Sequence, residues 1–228
     1  MNVTINGVSS DTISGLQILE LPPITKPKMR RTIDTIDGRA GDIVTKLGYD
    51  AYDKKIRILL HDSYTLQTVT SFFNTSGEIV FSNDPGMVYK FETLEKIDFE
   101  RAVKFKTAEI TFHVQPYKLS QTEQPKTITS SPTTVTNSGN AVSAPVYSIT
   151  GSGTVEILLD GSGAISVNMA DGQIVIDTDN LEASLEGVLK NRRVTGSYES
   201  LWLTPGNHSI AWSGTVSSII ITNYSRWI

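Results

Sequence analysis

The apolar positions of this chain recur mostly at every second residue. In AEITFHV (108–114), Ala108, Ile110, Phe112 and Val114 fall on one face and Glu109, Thr111 and His113 on the other. That is the pattern of a strand with one buried face. KKIRILL (54–60) predicts a second strand. In FETLEKIDFERAVKF (91–105) Leu94 is out of step, but Ile97, Phe99, Val103 and Phe105 alternate, which predicts a long hairpin with the strand that follows. One segment has a different period. In DSYTLQTVTSFFNTSG (62–77), Leu66, Val69, Phe72 and Phe73 fall at helical spacing, Asp62 is placed to cap, and Gly77 follows the end. This predicts a single helix whose stripe packs into a core.

The later half reads as strands throughout. Gly151/Gly153 and Gly161/Gly163 bracket a strand in GSGTVEILLDGSG, and AISVNM, Asp171-Gly172 and QIVID read as a hairpin. NHSIAWSGTVSSIIITNY predicts two strands about Ser213-Gly214. LEASLEGVLKN (181–191) fits either a helical turn or a loop with Leu181, Leu185 and Leu189 facing in. Short, closely spaced strands with Gly turns argue for a sandwich.

Composition divides the chain. All seven Phe lie in the first half and all three Trp in the second. Four of the nine prolines, Pro116, Pro125, Pro132 and Pro145, fall in a Ser/Thr-rich stretch between them, where a regular ladder cannot run for long. This places a domain boundary near residues 118–130, giving domains of 1–122 and 123–228; one β domain with a long surface loop is the alternative. Residues 1–119 carry 15 basic and 15 acidic side chains, so the net charge of −4 belongs to the remainder. That balance argues against a nucleic-acid binder. The chain has no cysteine, which removes disulfides, Cys-based zinc sites and a cysteine nucleophile. The start, MNVTINGVSSDT, reads as no signal peptide, and the longest apolar runs are too short to span a membrane.

A search for chemistry finds little. His61, His113 and His208 lack metal-ligand spacing, and neither a nucleophile elbow nor a phosphate-binding glycine loop is present. The carboxylate pairs Asp50/Asp53 and Asp177/Asp179 stand in ordinary sequence, the latter reading first as a turn. No catalytic residue, metal or cofactor is therefore expected. Two other features remain. Lys26, Lys28, Arg30, Arg31 and Arg39 cluster in KPKMRRTIDTIDGRAGD. Beside a neutral balance of charge, Arg30, Arg31 and Arg39 are candidates for a contact between identical subunits. The preceding PPITKP (22–27) is stiff and suits a fixed edge. On a sandwich, Trp202 and Trp212 are the residues that would stack on a sugar ring if exposed, although core packing is the commoner fate of tryptophan.

Four stretches together resemble the distal tail proteins of long, non-contractile-tailed phages of Gram-positive hosts. They are KPKMRRTIDTIDGRAGDIV, FHVQPYKLS, TNSGNAVSAPVYSITGSGTVEI and the ending NRRVTGSYESLWLTPGNHSIAWSGTVSSIIITNYSRWI. The resemblance implies a mainly β protein, with an N-terminal β-sandwich-like domain bearing one helix and a C-terminal galectin-like β-sandwich. It implies a non-enzymatic virion component, made in the host cytoplasm and placed at the tail tip. Six copies would form a ring through residues 1–122, joining the tail tube to the baseplate and host-adsorption apparatus. The implied partners are the tail tube protein, the tail-associated hub protein and a receptor-binding protein, with DNA passing through the channel unbound and no membrane involved. The alternative is a carbohydrate-binding adsorption module of a phage tail, using Trp202 and Trp212.

Overall fold

In the computed structural model of the chain, residues 1–61, 63–92, 100–102 and 105–228 are described, with side chains at all of them except residues 100–102, 105 and 164. The chain forms two compact units, Met1–Gln121 and Thr122–Trp227. No helix among the described residues is long and apolar enough to cross a membrane.

The first unit runs β1 (Val3–Ile5), β2 (Val8–Ser9), β3 (Leu16–Glu20), β4 (Met29–Asp34), β5 (Ile43–Tyr49), β6 (Tyr52–Leu60), α1 (Leu66–Phe73), β7 (Ser76–Phe81), β8 (Met87–Glu92), β9 (Glu100–Ala102) and β10 (Phe105–Ser120). Eight of these strands make one antiparallel sheet in the order β2-β1-β7-β8-β10-β6-β3, with β9 pairing β10. Alternation decides its faces. Ala108, Ile110, Phe112 and Val114 of β10 are buried, and so are Ile56, Ile58 and Leu60 of β6. Directly opposite pairs share a face, so Ile110↔Ile56 and Ala108↔Ile58 meet inside. The other face carries charge, with Lys55 Nζ 2.7 Å from Glu109 and His113 Nδ1 2.8 Å from Asp53. Phe112 is the hub of the core, in ring contact with Phe73 of α1 and with Phe81 and Phe91.

α1 buries Val69 and Phe73, while Leu66 stays 40% exposed. The expected cap, Asp62, lies outside the described residues; the residue preceding the helix is Thr65, whose side chain makes no capping bond. The hairpin expected over 91–105 also falls largely on residues outside the description. β4 and β5 stand apart as a two-stranded ribbon.

The second unit runs β11 (Lys126–Ile128), β12 (Thr133–Asn137), β13 (Val146–Leu159), β14 (Ser162–Asn168), β15 (Gln173–Asp177), β16 (Glu182–Leu185), β17 (Val188–Leu189), β18 (Val194–Thr195) and β19 (Gly206–Thr222). Here the strands are longer than expected. Gly151 and Gly153 lie inside β13, and Ser213-Gly214 lies inside β19 rather than between two strands. β13 and β19 pair along their length, with register shifts between Thr150 and Gly151 and between Ser152 and Glu156. Beyond the shifts their neighbours change. Residues 146–150 of β13 pair with β15, and residues 154–159 with β14. Similarly, β11 pairs with residues 219–221 of β19, and β12 with residues 206–210. Each long strand thus serves both layers of a β-sandwich-like fold. Ile157, Ile165 and Val167 from one layer join Ile149, Ile174, Ile176 and Ile219 from the other in a single core.

This explains a second difference. β14 and β15 do not pair with each other, so Asp171-Gly172 is an arch between layers and not a hairpin turn. The ambiguous segment 181–191 forms a hairpin instead, β16 with β17. Glu186 and Gly187 take φ of 50° and 77° at its turn, the two positive values that a tight type I′ connection needs. Leu181 and Leu189 point outward, at 45% and 60% exposure.

Candidate functional site

The β4–β5 ribbon gathers the basic cluster. Arg30 and Arg31 lie on β4, Arg39 lies in the connection to β5, and all three are exposed. The register pairs Ile33 with Val44 and Arg31 with Lys46, and a strand's same-face residues are two apart. One face of the ribbon therefore shows an apolar pair beside two cations opposite one another. Ile33, Val44, Leu47 and Ile36 are each 47–55% exposed. Like charges across a ladder destabilise it, and a lone two-stranded ribbon is marginal in water. Among the described residues no carboxylate pairs with Arg31, Lys46 or Arg39. Arg30 reaches Asp50 at 3.4 Å in an exposed pair. The base is fixed better: Asp50 N–H donates to the Lys28 carbonyl at 2.8 Å, and the Tyr49 ring meets the edge of Tyr117 on β10, centroids 6.0 Å apart. The ribbon thus shows exposed apolar groups beside cations that have no carboxylate partner among the described residues.

The approach to the ribbon rests on a buried polar cluster that the sequence pattern did not single out. Lys54 occupies an inward position of β6 and is 3% exposed. Its ammonium donates to the Pro23 carbonyl at 2.9 Å and faces the rings of Tyr89, Tyr52 and Phe81 at 4.9, 5.6 and 5.6 Å. Burial, with Lys118 nearby, brings its pKa down to about 8. Asp84 accepts from the Tyr89 hydroxyl and pairs with Lys118 at 3.1 Å. The signal was present in YDKKIRILL, where alternation puts Lys54 in register with Ile56, Ile58 and Leu60.

The two tryptophans are each partly buried. Trp202 is half-buried and donates through Nε1 to the Thr178 carbonyl at 3.0 Å, while Leu201 and Leu203 beside it are fully buried. Trp212 packs partly against the core, and its backbone N–H donates to Ser131 Oγ at 2.9 Å. Since Thr178 is itself buried, Trp202→Phe leaves a carbonyl without its donor. We expect a loss of about 1–3 kcal/mol, read as a lower urea midpoint at unchanged slope.

The carboxylates are committed to local structure. Asp177 Oδ1 accepts from the N–H groups of Asp179 and Asn180, closing the turn, and Asp179 pairs with the buried Arg226 at 2.6 Å. Asp160 accepts from Ser209 N–H and lies 2.7 Å from His208 Nδ1, while His208 Nε2 lies 2.7 Å from the Thr204 carbonyl. The Ser209 bond, then the His208 bond, hold the Asp160 carboxyl below its usual range. Among the described residues no three His, Asp or Glu side chains gather as a metal site.

No protein-family model matches the chain, and no curated protein matches it by sequence. Solved structures do match in fold. SPP1 Dit, described as a paradigm of the hub adsorption apparatus in phages infecting Gram-positive bacteria, superposes with a TM-score of 0.69 at 17% identity, over 100% of this chain and 99% of that one. A chain of the phage P2 baseplate in its calcium-activated conformation gives 0.47 at 9% identity, with 96% of each chain covered. The same baseplate activated with strontium gives 0.44 at 10%, with 97% covered. The fold of the chain is thus that of SPP1 Dit from end to end.

Proposed function

We propose that this chain is a structural protein of a phage tail tip, a distal tail protein that closes with five copies of itself into a ring. The observation that carries the reading is the end-to-end agreement of fold with a hub adsorption protein. Both units take part, so the likeness is not that of one common sandwich. The ribbon supplies the contact: Arg31, Arg39 and Lys46, with Ile33 and Val44, dock on carboxylates and apolar groups of the next copy, and Arg30 joins them at the rim. The first unit forms the ring. The second is a galectin-like sandwich that presents a surface to a receptor-binding protein. The ring joins the tail tube protein to the tail-associated hub protein, and its near-neutral first unit lets DNA pass without holding the phosphates. In this role the chain performs no reaction and needs no cofactor. It is made in the host cytoplasm and works in the virion.

Light scattering across a size-exclusion peak tests the reading. We expect a mass near six chains of 24.9 kDa, ring-shaped particles in negative stain, and interfaces of roughly 1,000 Å² or more each. A monomer at every concentration, without rings, would overturn it.

A further inference from the structure

The stretch between β3 and β4 has almost no ladder of its own. Pro22, Pro23 and Pro27 lack N–H groups, and no strand is assigned over residues 21–28. Its carbonyls are held by side chains instead. Asn83 Nδ2 donates to Pro22 O at 2.7 Å, Lys54 Nζ to Pro23 O at 2.9 Å, and the Tyr52 hydroxyl to Thr25 O at 3.4 Å. Residues 21–25 form a strap pinned at three points, and the ribbon hangs from its far end.

The middle pin is an unusual one. An ammonium has three donors, and among the described residues Lys54 finds one acceptor and three aromatic faces. Asp84, whose charge reaches Lys54, is already bonded to Tyr89 and Lys118. Lys118 adds a second positive charge over the same Tyr89 ring, at 5.7 Å. Water would serve the charged Lys54 better than this cage does.

We infer that Lys54 is a positioning residue that holds the ribbon's approach while charge-loaded, so that the strap releases more readily when Lys54 is protonated than when it is neutral. The sign follows from proton binding. With the strap closed, burial holds the Lys54 ammonium down to about 8; released into water it returns towards its ordinary 10.5. Between those values the closed strap binds fewer protons, so raising the pH favours closure, by about tenfold per pH unit. Below pH 8 both states are protonated and the balance is flat. Tyr52, pushed up to about 12 by burial and by Asp84, and Tyr89, also raised, oppose closure above about pH 10, because release lets a tyrosine ionise. The window is therefore pH 8–10.

The consequence for assembly rests on the ring reading: a strap that gives at neutral pH lets the ribbon find its seat on a neighbour. The device itself is tested without rings. The full chain is digested with an alkaline-active subtilisin-type protease from pH 7 to 9.5. Cuts within residues 21–28 are located by mass spectrometry, with rates normalised to a free peptide of the same segment. The normalised rate is expected to be flat from pH 7 to 8, then to fall about tenfold between pH 8.5 and 9.5. Lys54→Met removes the charge and is expected to abolish that fall. Asn83→Ala removes a neutral pin, and should raise cleavage at every pH while keeping the fall. A flat or rising profile in the natural chain, or an unchanged fall in Lys54→Met, would overturn the inference. Failure to form rings would leave the profile standing, and a flat profile would leave the ring standing.

Discussion

Gly214→Ala lowers the stability of the second unit by about 2–5 kcal/mol, from the sum of two penalties that the fold separates at three glycines. Gly214 has φ of 89°, and a Cβ there would run into the Thr154 carbonyl oxygen across the ladder. A left-handed L-residue costs roughly 1–2 kcal/mol, and overfilling a tight contact roughly 1–3 kcal/mol. Gly153, with φ of 73° and open space about it, isolates the first penalty. Gly151, where a Cβ would meet the Thr215 carbonyl without a positive φ, isolates the second. The three sit where β13 and β19 shift register and pass from one layer to the other. Urea unfolding of the three alanine variants should therefore rank Gly214 well above Gly153 or Gly151. Equal, small effects at all three would mean that the long strands do not approach so closely at the bend.

In the ring we propose, the triple reversal Arg30→Glu, Arg31→Glu, Arg39→Glu is expected to dissolve the assembly without unfolding the chain. All three side chains are exposed, and the ion pair lost among the described residues, Arg30 with Asp50, is a surface pair worth about 0–1 kcal/mol. The stability of the chain should barely change. Association should change far more, because three charges are reversed at each contact, a change of six units, and like charges across an interface cost several kcal/mol. Dissociation constants between subunits should rise at least about a hundredfold, read as a shift from six chains to smaller species at micromolar concentration. Salt should soften the effect, since exposed charges are screened. A variant that remains hexameric would remove the ribbon's basic cluster from the contact and require another surface to hold the ring.

What could be read from the sequence tracked what one residue type can decide alone. The alternation in β6 and β10 and the stripe of α1 were legible, because a buried face writes itself as a period of two or of 3.6. The β13–β19 pair was not. A glycine that ends a strand and a glycine that bends one look alike in sequence, and the difference lies in whether a carbonyl of the partner strand, Thr154 or Thr215, comes close. The Asp171-Gly172 arch was misread for the same reason, since a turn residue says that the chain reverses but not which layer it enters. For 181–191 the pattern allowed a helical turn or a loop with Leu181, Leu185 and Leu189 facing in, yet the segment is a hairpin whose Glu186-Gly187 turn fixes a register that leaves Leu181 and Leu189 out. The basic cluster was visible as composition. Its pairing of Arg31 with Lys46 and of Ile33 with Val44 needed the ladder. Lys54 was visible as a cation at an inward position of a strand, but beside Tyr52 of its own strand its cage takes Phe81 of β7 and Tyr89 of β8, far along the chain.

The most direct measurement is an electron-microscopy reconstruction of the purified chain at a resolution that traces strands. The account predicts sixfold particles in which each β4–β5 ribbon lies against the neighbouring copy, with Arg31 and Lys46 meeting its carboxylates. Particles without sixfold order, or a ring whose ribbons stand free in solvent, would contradict it.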